Sequence, residues 1–166
     1  MVKTCSYNPG DYVVYPTHGV GKISSIGKYV VAGQEIDCIF VDYDKEHMSL
    51  KVPLSAVESS GLRKLSSEKT MTAALTTLKG KPKSKRMVWP RRAQEYNAKI
   101  NSGNLVSVAE VVRDLYRSSE QSEQSHSERL VYEAALDRLV SEYAAMAKID
   151  AKDATDRIVK IIHSDV

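Results

Sequence analysis

The spacing of the apolar residues changes once along this chain, near Leu65, and that change constrains its fold more than any other feature. Before Leu65 the apolar residues alternate or run in short Val/Ile/Tyr blocks. These are DYVVY, GKISSIGKYV, EIDCIFVDY and MSLKV, separated by turn signals at Gly19, Gly33 and residues 42–45. Side chains on a pleated strand alternate between faces, so such blocks predict four or five short strands. Pro53 has no amide to give to a ladder and closes the fourth block, residues 54–60 predict one short helical turn, and residues 62–65 predict a last strand. Short strands at this spacing predict a small barrel of SH3 or Tudor size.

After Leu65 the apolar residues recur at three and four. Met71, Ala74, Leu75 and Leu78 mark one face of a helix stopped by Gly80 and Pro82. A second helix is expected from Pro90, a residue suited to the first helical position, to Gly103, with Ala93, Tyr96 and Ile100 inward. Ser107 and Glu110 fit a capping box for a third, which carries Val108, Val111, Val112 and Leu115. The polar run SSEQSEQSHS, residues 118–127, predicts a loop in which Ser125 and Glu128 cap the fourth and longest helix. Its stripe is Tyr132, Leu136, Leu139, Val140, Tyr143 and Met146, and Asp150 restarts a fifth helix with Ala154, Ile158, Ile161 and Ile162 inward. The expected class is α+β: a Tudor/SH3-like small β barrel over residues 1–65, followed by an all-α domain of about five helices over residues 66–166.

The total charge says little about partners, because 24 basic residues face 21 acidic ones. The distribution says more: residues 1–63 carry −1, residues 64–117 carry +8 and residues 118–166 carry −4. Attraction to phosphates would therefore act locally, in the middle third. Two cysteines, Cys5 and Cys38, are too few for a disulfide-stapled secreted scaffold and suit a reducing compartment. No stretch approaches the roughly 20 apolar residues of a membrane span, and the first residues hold no apolar run of the signal-peptide type. A soluble cytoplasmic protein without a membrane partner is expected.

The basic charge converges on KGKPKSKRMVWPRRAQEY, where Lys79, Lys81, Lys83, Lys85, Arg86, Arg91 and Arg92 surround the only tryptophan, Trp89. Pro90 pushes the residue before it toward extended backbone, so the indole is expected just outside the helix start and projecting. Arg91 and Arg92 then fall in the first helical turn, where positive charge opposes the macrodipole unless an anion shares the site. Free amides and two guanidinium groups there would cradle a phosphate. An exposed indole beside them is suited to stacking on an unstacked base or entering a kinked step. The plainer reading is a solvated basic linker with Trp89 as a core anchor.

Other candidates point away from chemistry. Cys5, His18, Cys38 and His47 contain no close pair that pre-forms half a zinc site, so no metal is expected. Cys38 sits in a Val/Ile-rich strand and reads as a small buried group, whereas His126 and His163 read as solvated. Gly19-Val20-Gly21 lacks the third glycine and the strand-then-helix setting of a dinucleotide fingerprint and reads as a turn feature. With no nucleophile beside a base and no paired carboxylates in an apolar setting, neither catalytic residues nor a cofactor are expected.

The blocks NPGDYVVYPTHGVGKI, KVPLSAVESSGLR, WPRRAQEYNAKINSGNLVSVAEVVRDLYR and SERLVYEAALDRL, in this order, resemble the CarD/CdnL family of bacterial transcription regulators. The N-terminal module is also similar to the polymerase-interacting domain of the transcription-repair coupling factor. The resemblance implies a Tudor-like domain that binds the RNA polymerase β subunit, partly by strand pairing, and a helical domain that contacts promoter DNA. It implies that Trp89 wedges into the minor groove at the upstream edge of the bubble, near the −10 element, and helps hold the open complex. Arg91, Arg92 and Arg129 match basic positions that face the DNA backbone, beside Lys85 and Arg86 of the basic run. Phe40, Met48, Lys51 and Pro53 fall on or beside the strands that meet polymerase. Pro90 stands where the family commonly has a polar residue, Gln94 where some relatives are basic, and Lys51 where they vary between arginine and apolar residues. A monomer on polymerase is the simplest expectation, and the alternative is a protein–protein adaptor whose barrel binds peptide without touching DNA.

Overall fold

The computed structural model describes residues 7–43, 47–82, 88–116 and 125–163 and divides into two compact units, Met1–Leu65 and Ser66–Val166.

Among the described residues the first unit forms one antiparallel sheet of five strands: β1 (Tyr12–Tyr15), β2 (Gly19–Val31), β3 (Gln34–Tyr43), β4 (Met48–Pro53) and β5 (Arg63–Lys64). Their order is β4-β3-β2-β1-β5, so the chain meanders through four strands and the fifth returns to pair with the first. β2 is the central strand of this order. Its first residues, Gly19–Lys22, pair with β1 and residues Lys22–Val31 pair with β3, across a bulge between Ile23 and Ser25 that bends it. The inward residues Val13, Ile23, Ile39 and Val41, each almost wholly buried, form the core with Tyr43 and Leu62.

Backbone chemistry explains the connections. Ala32 and Gly33 both take positive φ, 50° and 79°, which makes the tight two-residue turn between β2 and β3. After Pro53 a 3-10 turn (Leu54–Ala56) leads into α1 (Val57–Ser60), and Gly61 in the left-handed region (φ 79°) redirects the chain into β5. The two glycines of Gly19-Val20-Gly21 differ in role. Gly19 takes φ 78° at the turn, as expected, whereas a Cβ on Gly21 would lie 2.5 Å from Val41 Cγ1, so Gly21 is there for close packing.

Among the described residues the second unit has five helices: α2 (Glu68–Leu78), α3 (Trp89–Asn101), α4 (Leu105–Leu115), α5 (His126–Ala147) and α6 (Ala151–His163). α4 is the centre. It buries Leu105, Val108, Ala109, Val111, Val112 and Leu115 and packs against α2, α3 and α5, while α6 closes on α5 and α2. Side-chain oxygens of Ser67, Ser125 and Asp150 accept the amides of Thr70, Glu128 and Asp153, which caps α2, α5 and α6. The buried Glu142 carboxylate accepts the Ser66 amide at 2.8 Å and ties the start of the unit to α5.

Two boundary expectations are corrected. α4 begins before Ser107: Asn104 is the cap, and its Oδ1 accepts the Ser107 amide at 3.2 Å. Starting there brings Leu105, 3% exposed, into the core, which outweighs the capping-box pattern one turn later. The polar run expected to be loop through residue 127 already turns helical at His126. Among the described residues no helix is long and apolar enough to cross a membrane.

Candidate nucleic-acid interface

The start of α3 brings the singled-out residues together. Val88 is the N-cap, with extended backbone (ψ 148°), no side-chain cap and 72% exposure. Pro90 sits in the first turn, where its missing amide costs no helical bond. Trp89 is the first helical residue, so the extended residue lies one place earlier than the Trp-Pro pair predicts. The indole is also less free than expected. It is partly buried, packed on the helical core, with its ring centroid 6.3 Å from that of Tyr96 at 44°. Burial of the indole against the core offsets the restriction that Pro90 places on the backbone before it.

The two arginines behave differently. Arg91 is exposed, whereas Arg92 is partly buried and turned along the helix. The Arg92 guanidinium carbon lies 5.7 Å from the Trp89 ring and 5.6 Å from the Tyr96 ring. Its Nη2 donates to Tyr96 Oη at 3.2 Å, and its buried Nε finds no hydrogen-bond partner among the described residues. The expected cradle loses two of its amides. The Arg91 and Arg92 amides both donate to the Val88 carbonyl at 3.2 Å, and Pro90 has none to offer. Anion attraction at this helix end therefore rests mainly on side chains.

Arg129 is exposed in the first turn of α5, a helix that packs against α3. Lys79 and Lys81 are exposed at the end of α2, and Gln94 is exposed on α3. Lys83, Lys85 and Arg86 lie outside the described residues. Elsewhere in this unit His163 is exposed, as expected, and also meets Tyr116: the Tyr116 hydroxyl is 2.5 Å from Nε2 and the rings stand edge to face at 5.4 Å. Burial raises the Tyr116 hydroxyl pKa, and burial together with neighbouring Tyr116 pushes that of Tyr132 up to about 12.

On the β unit the register separates the polymerase candidates. Phe40 pairs with Lys51 and Cys38 with Pro53, which sets these residues on one face of β3 and β4. Met48 pairs with Tyr43 on the opposite parity and packs on the core with Leu50, so it does not join Phe40 and Lys51. Tyr29 does join them, and sequence reading passed it over: its ring meets that of Phe40 edge-on at 6.3 Å and carries Lys51 Nζ at 3.9 Å from its centroid. The signal was an aromatic residue two places after Gly27, which adds no side chain between Tyr29 and Phe40. Among the described residues β4 pairs only with β3, which leaves its outer edge open. Cys38 is buried, as its strand predicted.

Comparison with known proteins covers both units. Residues 7–66 match the family model for the CarD-like/TRCF RID domain, and residues 73–159 match that for the CarD C-terminal domain. YdeB of Bacillus subtilis strain 168, a candidate transcription factor, is 26% identical over 143 residues, which span 86% of this chain and 94% of that protein. The 72-residue N-terminal domain of Myxococcus xanthus CarD, solved by NMR, is 35% identical over 34% of this chain and 76% of its own, with a TM-score of 0.30. The matched segments run from before the first strand into the last helix and carry the β sheet and the Trp89 helix alike, and the chain belongs to the CarD-like family of transcription factors.

Proposed function

We propose that the protein is a non-catalytic regulator of transcription initiation that binds RNA polymerase through its β unit and promoter DNA through its helical unit, and that it stabilises the open complex. The observation that carries this reading is the only tryptophan, held partly buried on the first turn of α3 with exposed Arg91 beside it, inside a segment of net charge +8. An indole so placed offers an apolar edge next to cationic groups, the combination that fits a distorted minor groove. Binding that is stronger where base pairs unstack shifts the balance from closed toward open complex. Stacking of a base on an aromatic ring contributes about 1–3 kcal/mol, a change in open-complex stability of about 5- to 150-fold.

Arg91 and Arg129, with Lys85, Arg86 and one further lysine of the basic run, are the proposed backbone contacts. About five neutralised phosphates give a log–log salt slope of roughly −4 to −5. Among the described residues no helix offers an array of base-reading side chains, so targeting comes from polymerase. The β subunit is the proposed partner of the β unit, through Phe40, Lys51 and Pro53 on one face and the open edge of β4, with Met48 supporting the strand from beneath. The protein acts as a monomer on polymerase and needs no cofactor.

The test is the lifetime of a competitor-challenged open complex of the cognate polymerase, measured alone, with wild type, and with Trp89→Ala shown to be folded and polymerase-bound. Wild type is expected to lengthen the lifetime and the variant to lose most of that effect. If both bind polymerase and neither changes the lifetime, the wedge is wrong and the protein acts as an adaptor on the enzyme.

A further inference from the structure

An indole at the first position of a helix has no preceding turn to brace it, so its orientation depends on side chains further along the same face. Arg92 stands three residues on from Trp89, and Tyr96 four beyond that, which places all three in one row on α3. We propose that Arg92 is a positioning residue that holds the Trp89 indole through Tyr96, and that setting the indole rather than binding phosphate is its main role. What the indole is held for rests on the proposed function; the holding is a property of the free protein.

Four observations carry the proposal. Tyr96 is 3% exposed, so the far end of the row is fixed in the core. The guanidinium is tied to it, with Nη2 donating to the Tyr96 hydroxyl at 3.2 Å. The same guanidinium carbon lies 5.7 Å from one ring and 5.6 Å from the other, both within the roughly 6 Å over which a cation is attracted to a ring face. Finally, Nε is buried. A fork contact to phosphate through Nε and a terminal nitrogen needs both donors at the surface, and here one of them is turned inward. The ring faces also account for a cation in the first helical turn, where the macrodipole disfavours it, without calling on an anion. Arg91, one residue earlier, is exposed and has no such ring contact among those described.

Because Trp89 is the only tryptophan, its fluorescence reports the contact directly in the protein without DNA. The variants are Arg92→Gln, which removes the charge and the guanidinium; Arg92→Lys, which keeps the charge without a planar group; and Tyr96→Phe, which keeps the ring and removes the hydroxyl. Circular dichroism confirms that each is folded. The readouts are acrylamide quenching and time-resolved anisotropy of the indole, then the salt dependence of binding to a fork-junction DNA. Loss of an exposed cation–π contact shifts the ratio of docked to free indole by about two- to fivefold. Arg92→Gln is therefore expected to raise quenching and fast depolarisation, with Arg92→Lys restoring part of the effect and Tyr96→Phe lying between. The salt slope of Arg92→Gln is expected to match wild type. Unchanged fluorescence in Arg92→Gln overturns the proposal, and if its slope also falls by about one phosphate's worth, near 0.9, Arg92 is a backbone ligand. If wild type binds no DNA at low salt while the fluorescence changes appear as stated, the proposed function fails and the positioning role stands.

Discussion

Replacing Gly21 by alanine tests the packing of the β unit at its tightest point. The new Cβ would lie 2.5 Å from Val41 Cγ1 and 2.9 Å from Tyr43 Cε1, whereas carbon atoms in contact sit about 3.5–4.0 Å apart. Neither neighbour has room to yield. Val41 is fully buried, with a stiff β-branched rotamer, and Tyr43 is 5% exposed. Overpacking of this kind costs about 1–3 kcal/mol. Trp89 lies in the other unit, so its fluorescence is a poor reporter here, but Cys38 is a buried free thiol on β3. In a Cys5→Ser background, Cys38 labelling by a thiol reagent reports opening of the β unit, at a rate proportional to the open population when closing is fast. Gly21→Ala is expected to speed labelling about 5- to 150-fold. Gly27→Ala is the control: nothing lies within 4 Å of its Cβ, and alanine loses less freedom on folding than glycine, so labelling stays level or slows by up to about fivefold. If Gly21→Ala labels within about twofold of wild type, the close approach is not rigid and the reasoning fails.

Two further outcomes can be checked in the helical unit, where Trp89 fluorescence follows urea unfolding. Asn104→Ala should cost about 1 kcal/mol because it removes the α4 cap, and Ser107→Ala much less; equal losses would contradict the cap assignment. At high pH the unfolded chain releases the tyrosine protons near their ordinary value of about 10, while burial and Tyr116 hold the folded Tyr132 hydroxyl protonated to about 12. The folded state then binds more protons than the unfolded one, so stability falls as pH rises through that window. Tyr132→Phe should flatten the fall, and identical pH slopes in the two proteins would refute the burial argument.

Some of the site was legible along the chain because it depends on near neighbours. Ser125 and Asp150 cap as read, since a cap needs only an oxygen and an amide three residues on. Trp89, Arg92 and Tyr96 are spaced to share one helix face, and that too could be read. Which way Arg92 turns could not. Ring faces and phosphate compete for the same guanidinium, and the buried Tyr96 hydroxyl that decides between them is held by the packed core. Asn104 was missed because Ser107 and Glu110 satisfy the same local rule, and only the burial of Leu105 chooses between the two starts.

Period and composition alone determined the kinds of element, their order, and the place near Leu65 where strands give way to helices. Pleat and helix impose spacings of two and three-to-four on any chain that buries one face. The clustering of basic charge around the only tryptophan was equally plain without a fold. Tertiary structure alone decided direction. Met48 turns inward while Phe40 and Lys51 share the other face because strand register is a relation between distant segments, and a slip of one residue exchanges the faces. Tyr29 joins that face, Gly21 admits Val41, and Arg92 lies along the rings for the same physical reason: each contact depends on what the remainder of the unit brings alongside.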